Sequence, residues 1–242
     1  MSVTYTLDCA EALEWIGRQE EESFQLLYID PPFNTGRDFG EYDDRWDSPE
    51  EYSEWLAERI EHSRPLLADT GSMVVHVDWR MAPRVRLEME RIFGFDNIRN
   101  EIVWAYNSGG AGKRHLSRKH DTLIWATKTD DYKFNVHREP YATTGIDDRP
   151  GFHPDGRMLT DVWNIPFIST RSRERCGYPT QKPLKLLSRV VALWSDPDDW
   201  VGDFFAGSGT TGVAARHLSR RVRLNDQSEA AFKIMQQRLE GL

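Results

Sequence analysis

The sequence predicts an α/β fold, a mostly parallel, doubly wound sheet whose strand order is permuted along the chain. The last quarter reads strand, glycine turn, helix, strand, helix, which is the opening half of such a sheet. That glycine turn begins only at Gly207 of 242 residues, so the remaining strands have no room downstream. Short apolar runs suited to buried strands lie upstream, at 25–29, 71–77, 100–105 and 122–127.

Each element follows from its own residues. The run 25–29 (QLLYI) is continuously apolar after its first residue, as a strand covered on both faces requires. Residues 49–67 place Tyr52, Leu56, Ile60 and Leu67 at helical spacing and predict one buried helix face. Strands are expected at 71–77 (GSMVVHV), 100–105 (NEIVWA) and 122–127 (TLIWAT). Between 107 and 177, apart from that last strand, periodicity weakens and Gly, Pro, Arg and Asp dominate, which predicts an inserted, loop-rich region. Then come a strand at 200–205 (WVGDFF), a turn at 206–209, a helix at 210–218 and a strand at 221–225. Ser228 is placed to cap a last helix carrying Phe232, Met235 and Leu239.

A chain of 242 residues, 39% hydrophobic, buries one large core, so a single domain spanning 1–242 is expected. No run of 18 apolar residues occurs, and Asp8 and Glu11 stand where a secretory signal would be basic and then apolar. A soluble, cytoplasmic protein without membrane contact is expected. Cys9 and Cys176 form no CxxC or Cys/His ligand spacing, so neither a disulfide framework nor a metal site is predicted. The formal charge of −8 means that a polyanion would have to be met by a local patch. Lys113, Arg114, His115, Arg118, Lys119 and His120 form one, with no acid among them; a merely solvated face is the alternative.

Gly207-Ser208-Gly209-Thr210-Thr211-Gly212 satisfies GxGxxG, with Asp226 about 20 residues on, where an acid meets ribose hydroxyls. A dinucleotide would need a second complete half after this unit, and a phosphate loop would need Gly-Lys-Ser/Thr. What remains is a single adenosyl moiety, its ribose at Asp226 and its charged tail near the glycines and the amides of Thr210 and Thr211. A ligand-free strand-to-helix turn is the alternative.

Asp30-Pro31-Pro32-Phe33 follows the strand 25–29, at the carboxyl edge where open α/β sheets hold ligands. Two prolines fix φ and remove two donors, so the Asp30 carboxylate and nearby carbonyls can both accept from one NH₂ group. Amine methylation demands this, because the lone pair of an aromatic amine must be drawn out of the ring before it attacks in line. The Phe33 face suits stacking on a base turned out of a duplex. A proline-stiffened turn with a core Phe is the bland reading.

Asp-Pro-Pro-Phe early, Tyr178-Pro179-Thr180-Gln181-Lys182-Pro183 later and Asp203-Phe204-Phe205-Ala206-Gly207-Ser208-Gly209-Thr210-Thr211 last together resemble the beta group of amino-DNA methyltransferases, nearly end to end. Gly71 to Asp78, and Ile92-Phe93-Gly94 followed by Asn100 to Trp104, add to the likeness. It implies a permuted Rossmann-like methyltransferase fold: a catalytic half at 1–106, a target-recognition insertion at 107–177 and a cofactor half at 178–242. It implies S-adenosylmethionine as cofactor and double-stranded DNA, with a flipped target base, as partner. Asp30, Pro31, Pro32 and Phe33 then match the catalytic motif. Asp203, Phe205, Ala206, Gly207, Ser208, Gly209, Thr210 and Thr211 match the cofactor loop, Thr180 and Lys182 the segment over the methionine end, Asp226 the ribose acid and Asp8 an early acid near the adenine ring. Tyr106 lies where the family has aromatics lining the target pocket, as does Trp104, for which a core place is the alternative. Lys113, Arg114, Arg118 and Lys119, with Arg171, Arg173 and Arg175, are the candidate DNA contacts. A homodimer and a cognate restriction endonuclease are partners the resemblance allows, without a legible pattern for either.

With Asp at the head of the tetrad, the resemblance implies adenine N6; cytosine N4 is the alternative, and a silent cofactor- or DNA-binding module the rival of another class. Cytosine-C5 chemistry needs a thiol, typically in Pro-Cys, and neither cysteine follows a proline. Two departures from the family pattern stand out: Leu224-Asn225-Asp226 in place of Gly-apolar-Asp, and Gly202 in place of a large apolar residue, expected to loosen its strand.

Overall fold

The computed structural model describes residues 5–38, 40, 43–106, 112–141 and 151–242. Parts of the expected recognition insertion, 107–111 and 142–150, lie outside these. Eight strands form the central sheet: β1 (Tyr5–Asp8), β2 (Phe24–Ile29), β3 (Leu67–Asp78), β4 (Ile98–Ala105), β5 (His120–Thr127), β6 (Val162–Asn164), β7 (Trp200–Asp203) and β8 (Arg221–Asn225). Their spatial order is β1-β8-β7-β2-β3-β5-β4-β6. All neighbours run parallel except β5, which is antiparallel to both β3 and β4. The strand before the glycine turn, β7, thus sits mid-sheet between β8 and β2, as the permuted order requires.

Among the described residues six helices cover the sheet: α1 (Ala12–Ile16), α2 (Pro49–Ser63), α3 (Ala82–Phe93), α4 (Leu184–Trp194), α5 (Thr210–His217) and α6 (Glu229–Glu240). Alternation along the strands divides the core in two. Leu26, Tyr28, Val74, Leu123 and Val201 pack with Leu187, Val191, Ala214 and Met235 of α4, α5 and α6. Phe24, Leu27, Ile29, Val75 and Val77 pack with Trp15, Leu56, Ile60, Val85 and Met89 of α1, α2 and α3. Both faces are buried, which explains the unbroken apolar reading of β2 and β3.

Several boundaries move. The helix expected to reach residue 67 ends at Ser63: Arg64 keeps helical dihedrals, but Pro65 has no N–H to continue the ladder, so a 3₁₀ turn, Arg64–Leu66, follows and Leu67 opens β3. β7 stops at Asp203, and Phe204 and Phe205 already belong to the turn. Within 107–177, β6 joins β5 in the central sheet, pairing in parallel with β4, so this stretch is less loop-rich than its composition suggests. Gly202 does not loosen its strand: a Cβ there would lie 2.5 Å from Leu27 and 2.8 Å from Phe24, whose side chains already fill that space.

Candidate active site

A cavity of about 250 Å³ opens at the carboxyl ends of β2, β7 and β8. Of the residues matched to a cofactor, Thr180, Lys182, Asp203, Phe205, Ala206, Gly207, Ser208, Thr210, Thr211 and Asp226 line it, and Asp30 and Pro32 join them. Gly207 has φ +50° and its missing Cβ would lie 2.9 Å from the Tyr178 ring, so only glycine lets the turn pass under that aromatic. Asp226 accepts from the Gly207 amide at 2.8 Å and the Ser228 amide at 2.9 Å, tying the end of β8 to the turn; burial raises its pKa. The departure at Asn225 has a structural use: its side chain accepts from the Ala10 amide and donates to the Ala10 carbonyl, both at 3.0 Å, stitching the end of β1 to β8.

Asp203 is buried at the mouth of the turn, accepting from Thr211 Oγ1 at 2.6 Å and the Phe205 amide at 3.0 Å. Burial outweighs those bonds, and with Asp30 and Asp226 nearby its pKa is pushed up to about 8.

Two expected cofactor residues do not line the cavity. The Asp8 carboxylate accepts from Trp15 Nε1 at 3.1 Å and does not line the cavity; the buried indole of α1 claims it, and Glu11 and Ala12 form that wall instead. Gly209, at φ +71°, packs under α6, where a Cβ would meet Met235 Cγ at 2.8 Å. The sequence reading also missed an aromatic wall, Trp46 and Trp55 beside Phe205, with the Arg59 guanidinium 4.3 Å over the Trp55 ring and paired to Glu11 at 2.6 Å. Trp55 and Arg59 sit on α2 one turn apart, a spacing that could have revealed them.

The loop after β2 is held by Asp44, 1% exposed, whose oxygens accept from the Asn34 amide at 2.6 Å and the Thr35 amide at 3.0 Å. Asn34 takes φ +54°, a left-handed conformation that asparagine tolerates. Pro31 is buried and lines neither cavity, Pro32 faces the first, and Phe33 turns into a second. This second cavity, about 400 Å³, is walled by Phe33, Asp78, Asp121, Phe167 and Arg175 and shares Tyr178, Thr180 and Lys182 with the first. Lys182 pairs with Asp30 Oδ2, so one of the two acceptors expected to be open to an amine is occupied by an ammonium.

Behind Asp30 lies a buried polar group that the sequence reading did not single out. His76 Nδ1 is 2.8 Å from the Tyr28 hydroxyl and 3.8 Å from Asp30 Oδ1, and its Nε2 is 3.4 Å from Asp121 Oδ2. Burial pushes the Tyr28 hydroxyl well above its ordinary pKa, and burial likewise raises Asp78. The signal was a polar residue inside an apolar strand run, VVHV.

Tyr106 donates to Asp121 at 3.0 Å and its ring centre lies 4.1 Å from that of Phe167, tilted by 37°; it backs the second cavity without lining it. Trp104 is fully buried and donates to the Ile165 carbonyl, which settles its core place. Lys113, Arg114, Arg118, Arg171, Arg173 and Arg175 are exposed and Lys119 is half-buried. Arg118 stacks 3.9 Å over the Trp79 ring, and Arg175 alone of the set reaches the second cavity. Among the described residues no cluster of His, Cys, Asp or Glu could hold a metal, and no helix is long and apolar enough to cross a membrane.

Two cavities meeting at an acid-headed proline tetrad, beneath a glycine turn, frame the comparison with known proteins. The family of DNA methylases matches residues 24–237. The chain belongs to this family. As a DNA methylase it is 31% identical over 227 residues to "DNA adenine methyltransferase YhdJ" of Escherichia coli K12, covering 89% of this chain and 76% of the relative. Its fold matches that of the cytosine-N4-specific PvuII DNA methyltransferase, at TM-score 0.75, 20% identity and coverage of 97% and 87% of the two chains. It also matches M1.HpyAVI, solved as a complex with S-adenosylmethionine, at TM-score 0.69, 21% identity and coverage of 98% and 99%. These last likenesses establish the Rossmann-like methyltransferase fold.

Proposed function

We propose that this DNA methylase transfers a methyl group from S-adenosylmethionine to N6 of adenine in double-stranded DNA. The observation that carries the reading is the position of Asp30: it lines the first cavity, and its ion-pair partner Lys182 lines both. The first cavity suits the methyl donor. Asp226 offers a carboxylate for ribose hydroxyls, Phe205 and Trp55 offer aromatic faces, and the turn at Gly207 brings backbone close. When bound, S-adenosylmethionine supplies an electrophilic methyl carbon. Phe33 offers its ring to an extruded base in the second cavity, and Asp30 accepts a hydrogen from the exocyclic amine, turning the lone pair toward the first cavity. Asp78 and Asp121 supply further acceptors on the base side. The exposed arginines at 171, 173 and 175, with the basic stretch 113–119, offer phosphate contacts along residues 107–177, the proposed recognition region.

Adenine is favoured over cytosine by the aspartate at the head of the tetrad and by the relative at 31% identity, a DNA adenine methyltransferase. The same geometry would serve N4 of cytosine, and the PvuII likeness bears on fold alone. Incubation with isotope-labelled S-adenosylmethionine and unmethylated duplex DNA, followed by digestion to nucleosides, separates these readings. Label in N6-methyladenine is expected. Label in N4-methylcytosine would replace the substrate, and bound donor without transfer would indicate a silent module.

A further inference from the structure

The two registers around β3 bring three ionisable groups into a row. Tyr28 pairs with Val74 and Ile29 with Val75, which sets Asp30 beside His76; across the sheet, Asp78 pairs with Asp121. His76 is fully buried, and valine would fill the same place in an apolar strand without a desolvation cost. Its ring contacts acids on both sides: Asp30 Oδ1 at 3.8 Å from Nδ1 and Asp121 Oδ2 at 3.4 Å from Nε2, where alignment falls short of a hydrogen bond. Asp30 Oδ1 is buried without a partner among the described residues, while Lys182 holds the other oxygen. Asp121 lines the second cavity, so the row runs from the tetrad to an opening. The other groups facing it are the Tyr28 hydroxyl from β2, Trp104 and Tyr106 at β4, Phe33, and Asp78 paired with Arg80 beyond β3.

We propose that His76 is a positioning residue for methyl transfer, acting through Asp30 to carry the amine's proton to Asp121. This rests on the methyl-transfer reading above. The amine lone pair forms the N–C bond as the C–S pair leaves with sulfur, and the nitrogen is left with one proton too many. That proton passes to Asp30 and its N–H pair returns to nitrogen. His76 Nδ1 takes it from Asp30 as the Tyr28 hydroxyl turns from donor to acceptor, and the Nε2 proton moves to Asp121 and out to water through the second cavity. One proton leaves and no oxidant or reductant is needed. Two carboxylates flanking the ring stabilise its transient cationic form.

The test is single-turnover methyl transfer across about four pH units, from about pH 5.5 to about 9.5, for wild type, His76→Gln, His76→Asn and Asp121→Asn, with S-adenosylmethionine affinity measured by calorimetry. Variants that bind the donor as wild type does, lose about 10²-fold in rate and lack the wild-type inflection on the acid limb are expected. Added imidazole should restore part of the rate to His76→Gly. A wild-type pH profile retained in the His76 variants, whether or not the rate falls, or no rescue by imidazole, would overturn the relay and leave a packing role. Absence of transfer by wild type would instead overturn the methyl-transfer reading itself, and the relay with it.

Discussion

The ammonium of Lys182 rests on the carboxylate of Asp30, joining segments 152 residues apart, and also lies 4.9 Å over the Phe33 ring. A target amine that donates to Asp30 must compete with it. On the proposed reading the segment carrying Lys182 covers the methionine end of the donor, whose carboxylate would then be an alternative partner for the ammonium. Lys182→Met is therefore expected to weaken S-adenosylmethionine binding about tenfold, the loss of one charge-assisted hydrogen bond, while transfer at saturating donor persists. Calorimetry and single-turnover rates check the two halves; unchanged affinity would remove the donor from the role.

Asp203, with its pKa near 8, gives a signed pH dependence. Between the ordinary carboxylate range and about pH 8 the folded protein holds a proton that the unfolded chain has lost. Stability of the free protein should therefore fall as pH rises through that window, and Asp203→Asn should flatten the slope in thermal melts. A cationic donor bound beside this acid favours its ionised form. S-adenosylmethionine affinity should rise with pH up to about 8, with proton uptake by buffer detectable in calorimetry, as linkage requires.

Glycine substitutions should separate cavity from packing. Gly207→Ala meets the Tyr178 ring and a φ of +50° at the cavity wall, and Gly209→Ala meets Met235 beneath α6 at φ +71°. Each should lower stability by about 1–3 kcal/mol, as overpacking and left-handed strain do. Only Gly207→Ala should also lower donor affinity in proportion beyond its effect on folding, measured at a temperature where both variants are folded.

Neutralising Arg171, Arg173 and Arg175 to Gln should weaken DNA binding and reduce the slope of log K against log salt by about 0.9 for each phosphate left without its cation. The same test on Lys113, Arg114, Arg118 and Lys119 distinguishes DNA binding from a solvated face, since an unchanged slope means the latter. Arg118 is the sharpest probe, being already ordered on Trp79.

What the sequence revealed is what is local. The tetrad and the glycine turn each lie within one strand end and its turn, and Asp30 and Pro32 of the one line the first cavity with Gly207 and Ser208 of the other. The permutation was legible because the apolar runs at 25–29, 71–77, 100–105 and 122–127 all precede the glycine turn. That Asp8 accepts from the Trp15 indole and does not line the cavity was not legible, because an indole proton in the following helix leaves no mark on the residue pattern. His76 and Asp121 were missed for the opposite reason: their meeting with Asp30 depends on register across three strands, which no spacing in the chain encodes. Helix α4 carried a readable apolar face, Leu187, Val190, Val191 and Trp194, but follows Pro183 directly and was hidden between two motifs.

The central claim is that Asp30 works on the target amine and not on the donor. Donor affinity and single-turnover transfer, measured side by side in Asp30→Ala, test it most directly. Affinity within about threefold of wild type with transfer lowered by at least about 10²-fold, as for loss of one group acting only in the transition state, is the predicted result. Parallel loss of both, or transfer that survives, would contradict it.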